Sequence, residues 1–332
     1  MIKVAIVGCG KLGSAHAASF SKVPGIRLVA VCDPVEEAAV RLRDAAAPDA
    51  RTATDPADVL ADDAIDAVWV TTPNDSHRDL ALQAIAAGKH VLLEKPMART
   101  IAECEEIVTA ARTASSVLMC GYKLRLFPMV EKARELVSDP IAVQVQVLDG
   151  RWPDNGWVND PANGGGNIAA QGCHGTDLAR FLARRDPRAV YGVGGRFYSD
   201  RVPTNVSAVY RFDDDIAATV VIGDADTPPG TSKFFAQIVG DGCSATLSRR
   251  LTELTYHRTG AEPEVFRGPE VPWEVENAAF VEAIRSGGPS PIDALDGWYA
   301  TAMTELAVRS ATTGEVQQIL RPDPSTKIGA LP

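Results

Sequence analysis

The segment IKVAIVGCGKLGSAHAASF, residues 2–20, sets the interpretation of the whole chain. It opens with Ile2–Val7, an apolar run long enough for one buried strand, which ends directly at a glycine-rich turn. From Lys11 to about Lys22 the apolar positions follow a helical pattern. The segment therefore predicts a strand, a tight turn and a helix, which together begin a parallel α/β unit.

Strands and helices continue to alternate up to about residue 121. Strands are predicted at 26–32, 67–70, 90–93 and 117–120, and helices at 35–43, 76–87 and 101–112. Helices of this length between short apolar strands are typical of a parallel sheet that is covered on both faces. The strand AVWV, residues 67–70, has no polar position and fits burial on both sides. Residues 1–121 are therefore predicted to form a doubly wound Rossmann domain.

The character of the chain changes after Gly121. Residues 141–149 alternate apolar and polar side chains as a half-buried strand does, and residues 150–166 are rich in Trp, Pro, Asn and Gly. Further elements are predicted as a helix at 170–184, strands at 190–198, 206–212, 217–222, 234–239 and 245–247, and helices at 273–286 and 294–312. Residues 122–332 are therefore predicted to form one α/β domain with a large, open, mostly antiparallel sheet.

The composition narrows the class of protein and its partners. The chain has 33 basic and 43 acidic residues, and its formal net charge of -10 disfavours nucleic acid as a partner. No apolar stretch approaches the ~18 residues of a membrane span, and residues 1–10 lack the features of a secretory leader. A cytoplasmic protein without a membrane partner is therefore expected. Because the six cysteines form no CxxC pair and the five histidines no cluster, no metal site is predicted.

The glycine turn has the spacing of a dinucleotide-binding site. Gly8 permits the tight turn, Gly10 lets the backbone approach a pyrophosphate, and Gly13 lets the helix pack closely on the strand. The helix N-terminus offers N–H groups and a positive dipole end to the phosphates. Asp33, at the end of the second predicted strand, can accept hydrogen bonds from ribose hydroxyls and would repel the extra phosphate of NADP. NAD is therefore favoured over NADP. The alternative is a glycine turn in another α/β fold, with Asp33 as a helix cap.

Two further segments follow predicted parallel strands and are expected at the same edge of the sheet. TTPNDSH, residues 71–77, follows one strand, and Glu94, Lys95 and Pro96 follow another. Ligands of open parallel sheets bind outside the carboxyl ends of the strands. On pattern alone, Lys95 is equally well explained as a charge at the surface end of a strand.

These motifs resemble those of a known family. TPNDSH, GKHVLLEKP, the glycines before His174 and Asp177, and FVEAIRSGG with DALDGWYATAMTELAVRSATTGE are similar to the glucose-fructose oxidoreductase / inositol dehydrogenase / rhizopine-catabolism (Gfo/Idh/MocA) family. The resemblance runs from Met1 to about Ile319. It implies hydride transfer between NAD and a sugar, cyclitol or related polyol, and a homodimer or homotetramer formed through the C-terminal sheet. It places Lys95 beside the nicotinamide and the reacting carbon.

The resemblance extends the predicted cofactor site over all four segments. Its predicted members are Gly8, Gly10, Lys11, Leu12, Gly13, Asp33, Thr71, Thr72, Pro73, Asn74, His77, Glu94 and Lys95. The residues predicted to contact substrate are Lys95, Tyr122, Trp152, Trp157, Gln171, His174 and Asp177. Trp152 and Trp157 can stack on a sugar ring. A solvated loop with aromatic anchors explains the two tryptophans equally well.

The family's proton-handling motif departs from its usual form at one position. His174 and Asp177 match the pattern, but position 170, where many members carry an aspartate, is alanine. Histidine suits removal of an alcohol proton because its ordinary pKa of about 6.5 lies near working pH. Lys95 and His174 are therefore the predicted catalytic residues, although His174 can also be explained as a core or helix-capping histidine.

Ala170 leaves three interpretations open. His174 and Lys95 can carry the proton without the carboxylate, a carboxylate or amine of the substrate can fill the space, or ordinary turnover has been lost. The predicted function is an NAD-dependent dehydrogenase or reductase, similar to inositol 2-dehydrogenase. The alternatives are an NAD-dependent glycosidase that oxidises a sugar transiently, and a cofactor-binding regulatory protein of the same fold.

Overall fold

The glycine turn joins β1 (Ile2–Val7) to α1 (Lys11–Ser19) in the computed structural model, which describes residues 1–224 and 232–322. The side chains of Val4 to Val7 are almost completely buried, at 0–2% exposure, because β1 is covered by neighbours on both faces. The apolar run at the start of the chain is therefore the central strand of a sheet.

Within the described residues, six parallel strands form the first sheet, in the order β3-β2-β1-β4-β5-β6. The strands are β1 (Ile2–Val7), β2 (Ile26–Cys32), β3 (Arg51–Ala53), β4 (Ala67–Val70), β5 (His90–Leu93) and β6 (Leu118–Cys120). The helices between them are α1 (Lys11–Ser19), α2 (Glu36–Ala46), α3 (Pro56–Leu60), α4 (His77–Ala86) and α5 (Ile101–Thr113). The strand order reverses between β1 and β4, which is the switch point where ligands of doubly wound sheets bind. The predicted Rossmann sheet is confirmed.

A second sheet of nine strands lies in the described part of the later sequence. Its order is β14-β13-β12-β11-β7-β10-β9-β8-β15. The strands are β7 (Pro140–Leu148), β8 (Pro187–Gly195), β9 (Asn205–Phe212), β10 (Ala217–Gly223), β11 (Phe234–Gly240), β12 (Cys243–Ser248), β13 (Glu253–Arg258), β14 (Glu264–Arg267) and β15 (Gln317–Gln318). β7 and β10 run parallel, and the other neighbouring pairs are antiparallel. The predicted open, mostly antiparallel sheet is confirmed.

Four α-helices follow the last strand of the first sheet in the described chain. They are α6 (Pro128–Leu136), α7 (Cys173–Ala183), α8 (Trp273–Ser286) and α9 (Ala294–Thr313). α7 packs closely on its sheet because Gly175 faces β7, and a Cβ added there would lie 2.8 Å from Val147 Cγ2. In the part of the chain that the model describes, no helix is both long enough and apolar enough to cross a bilayer.

The chain divides into two compact units. One contains Met1–Gly121 and Pro272–Trp298, and the other contains Tyr122–Val271 and Tyr299–Arg321. This division differs from the predicted domain of residues 122–332, because Pro272–Trp298 returns to the first unit. The physical reason is aromatic packing: the Phe280 ring of α8 meets the Trp69 ring of β4 edge-on at 5.1 Å. Sequence periodicity predicts α8 but does not specify which sheet it covers.

Several short elements were not predicted from the sequence. They are β3, α3, α6, β13, β14 and β15. Four of them, β3, α3, β14 and β15, have only two to five residues, which show too few repeats for a periodicity to be recognised. The other two, β13 and α6, have six and nine residues. β8 also begins earlier than predicted, at Pro187 rather than residue 190, since Pro187 pairs with Phe212 at the end of β9.

Candidate active site

The glycine turn leaves open space at one position and close contacts at two. Gly8 has a φ of +100°, and a Cβ added to it would lie 2.7 Å from the main chain of Thr71. A Cβ on Gly13 would lie 2.1 Å from the carbonyl oxygen of Gly8. A Cβ on Gly10 would meet no atom of the described chain within 4 Å. The turn therefore has room at Gly10 for a group such as a pyrophosphate, and Lys11 and Leu12 lie in the first turn of α1.

Asp33 joins the end of β2 to the glycine turn. Its Oδ2 accepts a hydrogen bond from the main-chain N–H of Cys9 at 2.8 Å, and its Oδ1 accepts one from Val35 N–H at 2.9 Å. The carboxylate remains partly exposed, so its remaining lone pairs can accept bonds from ribose hydroxyls. Asp33 therefore fits the predicted adenosine-ribose contact.

Burial makes the two thiols next to this carboxylate unreactive. Burial first, and the negative charge of Asp33 second, raise the pKa of Cys9 to about 12 and the pKa of Cys32 to about 11. A thiol with such a pKa stays protonated at neutral pH and is a poor nucleophile. Neither cysteine is therefore a candidate for covalent chemistry.

The segment after β4 packs against the glycine turn. Thr71 Oγ1 donates a hydrogen bond to the Gly8 carbonyl oxygen at 2.6 Å, and Ser76 Oγ donates one to Thr72 Oγ1 at 2.7 Å. Pro73 is exposed, whereas Asn74 is buried at 6% exposure. The segment is therefore part of the same edge of the sheet as the turn.

His77 lies inside this edge rather than on it. Its side chain is 1% exposed, and its ring nitrogens lie 2.8 Å from the Pro96 carbonyl oxygen and 2.9 Å from that of Thr72. Burial lowers its pKa, although both backbone carbonyls act in the opposite direction. His77 thus connects the segment after β4 with the segment after β5. A cofactor contact through the His77 ring is not what this geometry favours.

Glu94 and Lys95 follow β5 directly. Glu94 is buried at 1% exposure, and its two carboxylate oxygens have different hydrogen-bond partners. Oε1 lies 3.1 Å from His16 Nε2, and Oε2 accepts a hydrogen bond from the Lys95 main-chain N–H at 3.0 Å. Lys95 is half-buried, and its peptide bond to Pro96 is cis. The structure therefore places a buried carboxylate behind the lysine that the sequence selects as catalytic.

In the second unit, His174 is held by aromatic neighbours. It is the second residue of α7 and is 6% exposed; its ring meets the Tyr122 ring edge-on at 6.0 Å and the Phe234 ring at 6.2 Å. A π-helical turn, Ile168–Gly172, precedes α7 and contains Ala170 and Gln171. Such turns are frequent at functional sites. His174 is thus a fixed imidazole, and Ala170 is a buried neutral residue beside its helix.

Asp177 forms a buried ion pair with Arg125. Arg125 Nε lies 2.9 Å from Oδ2 and 3.0 Å from Oδ1 of Asp177, and their side chains are 7% and 0% exposed. The Arg125 guanidinium also lies 5.2 Å from the Phe181 ring centroid. This pairing favours a role for Asp177 in fixing α7 rather than the predicted contact with substrate.

The two predicted stacking residues differ in exposure. Trp157 is 53% exposed and Trp152 is partly buried. Asn159 is buried, and its amide donates to the Pro153 carbonyl oxygen at 3.1 Å. Trp157 therefore has a ring surface available for a ligand, whereas Asn159 supports the loop from inside.

Sequence analysis missed a buried polar group in the first unit. His16, Glu94 and Glu276 are each at most 1% exposed, and one ligand atom of each lies within 4.8 Å of the others. The signal was a polar pair, Glu276 and Asn277, beside the buried Phe280 and Val281 of α8. Charged residues are rarely fully buried without partners, so this pair marks a specific interaction.

Two family models match the chain. Residues 2–122 match the model described as an oxidoreductase family with an NAD-binding Rossmann fold, and residues 130–245 match the GFO/IDH/MocA C-terminal domain. The chain belongs to the GFO/IDH/MocA family. The family resemblance inferred from the motifs is confirmed, and this family member is an oxidoreductase with an NAD-binding Rossmann domain.

Individual relatives of this GFO/IDH/MocA chain differ in their named substrates and cofactors. A 1,5-anhydro-D-fructose reductase of Ensifer adhaerens is 29% identical over 283 residues, which are 81% of this chain and 84% of the relative. An NADP-dependent D-xylose 1-dehydrogenase of Haloferax volcanii is 27% identical over 271 residues, which are 79% and 82%. The structure of a levoglucosan dehydrogenase with NADH and levoglucosan has a TM-score of 0.88 at 20% identity, covering 96% and 99% of the chains. The last comparison shows the fold alone.

Proposed function

We propose that this chain is an NAD-dependent oxidoreductase. It oxidises a secondary alcohol of a cyclitol, sugar or sugar derivative, or reduces the corresponding ketone. The observation that carries the proposal is the open space at Gly10 beside the carboxylate of Asp33. The sugar class is supported by the names of the relatives, a 1,5-anhydro-D-fructose reductase and a D-xylose 1-dehydrogenase. Cyclitols are included in the proposed substrate class because the motifs resemble those of the Gfo/Idh/MocA family.

The choice of NAD over NADP follows from the charge of Asp33. A carboxylate at the end of β2 accepts hydrogen bonds from the free ribose hydroxyls, whereas a phosphate on that ribose would place like charges together. Lys11 and Leu12 N–H groups would hold the pyrophosphate. When bound, the nicotinamide supplies a hydride acceptor or donor.

Lys95 and His174 are the proposed proton-handling residues. The Lys95 ammonium can donate a hydrogen bond to the reacting oxygen and stabilise the negative charge that develops on it. His174 accepts the hydroxyl proton during oxidation and returns it during reduction. Because residue 170 is alanine, the imidazole has no carboxylate partner from that position. The edge-on rings of Tyr122 and Phe234 support the orientation of His174 instead.

The test is a screen for NADH formation across inositols, aldoses and sugar acids, with NADP supplied in parallel. We expect turnover with at least one polyol and a preference for NAD. A free sugar released from a glycoside without net NADH formation would identify a glycosidase instead. Binding of NADH without turnover on any substrate would identify a regulatory protein.

A lysine variant and its control make the screen specific. Lys95→Met should lower turnover about a hundredfold or more, to a small residual rate, while the protein stays folded and still binds NADH, because the change deletes the ammonium and keeps an unbranched side chain. Lys22→Met is the matched control, since Lys22 is 66% exposed and pairs only loosely with Glu274, at 3.3 Å, on the surface of the same unit. Substantial turnover in Lys95→Met would exclude Lys95 from the chemistry.

The second sheet supports the proposed homo-oligomer. Tyr191 of β8 and Val209 of β9 are direct cross-strand partners, and they are 44% and 54% exposed on the same face. Val193, two residues along β8, is 60% exposed. An apolar face of this kind is typical of subunit contacts. Val209→Glu should lower the mass measured by analytical ultracentrifugation from that of a dimer or tetramer, and an unchanged mass would exclude this face.

A further inference from the structure

A buried polar network lies behind the loop that carries Lys95. His16 comes from α1, Glu94 from the end of β5, and Glu276 and Asn277 from α8. All four side chains are at most 1% exposed. The Trp273 ring covers the His16 ring at a centroid distance of 4.7 Å. None of the predicted functions accounts for three titratable groups buried together here.

The orientation of the Asn277 amide follows from its neighbours. Trp69 Nε1 lies 2.7 Å from Asn277 Oδ1, and because an indole N–H can only donate, that atom must be the amide oxygen. Asn277 Nδ2 then donates to Ser19 Oγ at 2.6 Å, and Ser19 Oγ donates to the His16 carbonyl oxygen at 2.7 Å. With this orientation, Trp69, Asn277 and Ser19 each donate one hydrogen bond to an acceptor.

This orientation determines where His16 carries protons. Its Nδ1 lies 2.8 Å from Asn277 Oδ1, which is an acceptor, so Nδ1 must be protonated. Its Nε2 lies 3.1 Å from Glu94 Oε1, which requires one proton between the two atoms. The pair is therefore either an imidazolium with a carboxylate or a neutral imidazole with a carboxylic acid.

The surrounding charges favour the ionised pair. Burial lowers the pKa of His16, but the hydrogen bond and charge of Glu94, the charge of Glu276 and the bond to Asn277 outweigh it and raise that pKa. Burial raises the pKa of Glu94, but the bond from His16 and the charge of Lys95 outweigh it and lower that pKa. Both directions agree with the geometry. His16 is thus an imidazolium beneath the Glu94 carboxylate.

The Glu94 carboxylate, which His16 holds in place, also binds the main chain of the lysine loop. Glu94 Oε2 accepts the main-chain N–H of Lys95 at 3.0 Å. A Cβ added to Gly121 would lie 3.2 Å from the same oxygen, so there is little room for Glu94 to move. The Lys95 backbone is therefore fixed through Glu94 by a charge on His16.

We propose that His16 is a positioning residue for Lys95: as a buried imidazolium anchored by Asn277, it holds the Glu94 carboxylate that fixes the lysine loop. This inference rests on the proposed role of Lys95. His16 acts through two hydrogen bonds and touches neither cofactor nor substrate in this scheme. The competing explanation of the cluster is a divalent cation held by His16, Glu94 and Glu276, which would require His16 Nε2 to be unprotonated.

The first experiment reads the protonation of His16 without any substrate. In nitrogen-15 NMR of the histidine-labelled full chain at pH 7, both ring nitrogens of His16 should be protonated, with the resonance assigned by its loss in His16→Gln. A His16 ring nitrogen that lacks a proton overturns the inference. One equivalent of divalent metal in the purified protein, lost in His16→Gln, also overturns it.

The second experiment tests whether His16 affects catalysis through Lys95. It measures kcat with the best polyol from the screen. His16→Leu should lower kcat about tenfold or more, since displacement of a reacting group by an ångström has effects up to about a hundredfold. The NADH dissociation constant should not change, whereas general damage to α1 would weaken NADH binding as well. If His16→Leu does not fold, His16→Gln replaces it: its amide fills part of the space but carries no positive charge to hold Glu94, so kcat should still fall, and a wild-type kcat would overturn the inference. His90→Leu is the control from the same unit and should keep the wild-type kcat.

A double variant separates this inference from the proposed function. In a Lys95→Met background, His16→Leu should cause no additional loss of residual turnover, because both changes act at the same step. A full additional loss in that background overturns the inference alone. Wild-type turnover in Lys95→Met overturns the proposed role of Lys95 and this inference with it.

Discussion

The main-chain N–H of Cys9 donates a hydrogen bond to Oδ2 of Asp33 across 2.8 Å. This bond connects the glycine turn after β1 with the end of β2, and the second oxygen of Asp33 accepts Val35 N–H. One carboxylate therefore shapes the turn and, in the proposed function, also binds the ribose hydroxyls. The two roles can be separated by experiment. The effect of Asp33 on the turn should be the same for NADH and NADPH, whereas its effect at the ribose should differ between them.

Asp33→Asn should weaken NADH binding and shift the preference toward NADPH. Loss of a charged acceptor is expected to cost about 1.5–3 kcal/mol, or about tenfold or more in the dissociation constant. Isothermal titration with both cofactors measures the effect. Asp66→Asn is the control, because Asp66 also accepts a backbone N–H, from Lys3 at 2.7 Å, at the opposite end of the strands. Equal losses for NADH and NADPH would leave Asp33 with the structural role alone.

Gly10→Ala should abolish NADH binding with little effect on folding. The added Cβ meets no described atom within 4 Å, so the apoprotein tolerates it, but it fills the space that the pyrophosphate needs. Gly195→Ala is the matched control, since a Cβ added there also meets no atom of the described residues within 4 Å. Thermal melts with and without NADH separate the two effects. Normal stabilisation of Gly10→Ala by NADH would place the pyrophosphate elsewhere.

His174→Gln should lower kcat by about a hundredfold or more, the usual contribution of a general base. Glutamine retains hydrogen-bonding atoms but cannot take up the proton, so the pH dependence of kcat should flatten on its acidic side. The exposed His257 of β13 provides the control variant His257→Gln. A wild-type rate and pH profile in His174→Gln would show that another group is the base.

Asp177→Asn should lower the free energy of unfolding rather than the affinity for substrate. Removal of one charge from a buried pair leaves Arg125 uncompensated and is expected to cost about 3–5 kcal/mol. Glu305→Gln breaks the exposed pair with Arg309 and should cost about 1 kcal/mol or less. Urea denaturation measures both changes. A stable Asp177→Asn protein with a raised KM would instead support a direct substrate contact.

The stability contribution of His16 should decrease as pH rises. A raised histidine pKa stabilises the fold fully below the ordinary value of 6.5 and loses that effect as pH rises through the folded value. The stabilisation that follows from the lowered pKa of Glu94 is complete above the ordinary value of 4.5, and it is lost as the pH falls through the pKa of the folded state. The difference in unfolding free energy between wild type and His16→Leu should therefore shrink as the pH rises above the ordinary histidine value of 6.5.

A second histidine of the same unit provides an internal control for this pH series. Burial lowers the pKa of His90, so the difference between wild type and His90→Leu should change in the opposite direction over the same range. His77, whose pKa burial also lowers, is present in every protein compared, so its effect cancels. A His16 difference that is constant or grows with pH would contradict the ionised pair.

Local spacing was sufficient where the interacting residues are close in sequence. Gly8, Gly10 and Gly13 lie in one strand-turn-helix unit, and Asp33 follows the next strand, so their arrangement depends only on the geometry of that unit. The alternation of apolar strands with helices similarly predicted the parallel sheet. Lys95 was selected by the family resemblance of the motif after β5, and its catalytic role stays a prediction.

Long-range packing decided the rest. His16 and Asn277 are 261 residues apart, and Trp69 and Asn277 are 208 apart; each meets its partner only because α8 returns to the first sheet. The Asp177 side chain was predicted to contact substrate, but it forms an ion pair with Arg125, which lies 52 residues earlier in the sequence.

The sequence by itself therefore determined the fold class and the glycine turn with Asp33, because these depend on local periodicity and spacing, and the resemblance of its motifs indicated the family. Only the tertiary structure decided the charge partner of Glu94, the burial of His77 and the unit to which α8 belongs. Hydrogen bonds between side chains distant in sequence form only when packing brings their elements together, and no local pattern encodes that meeting.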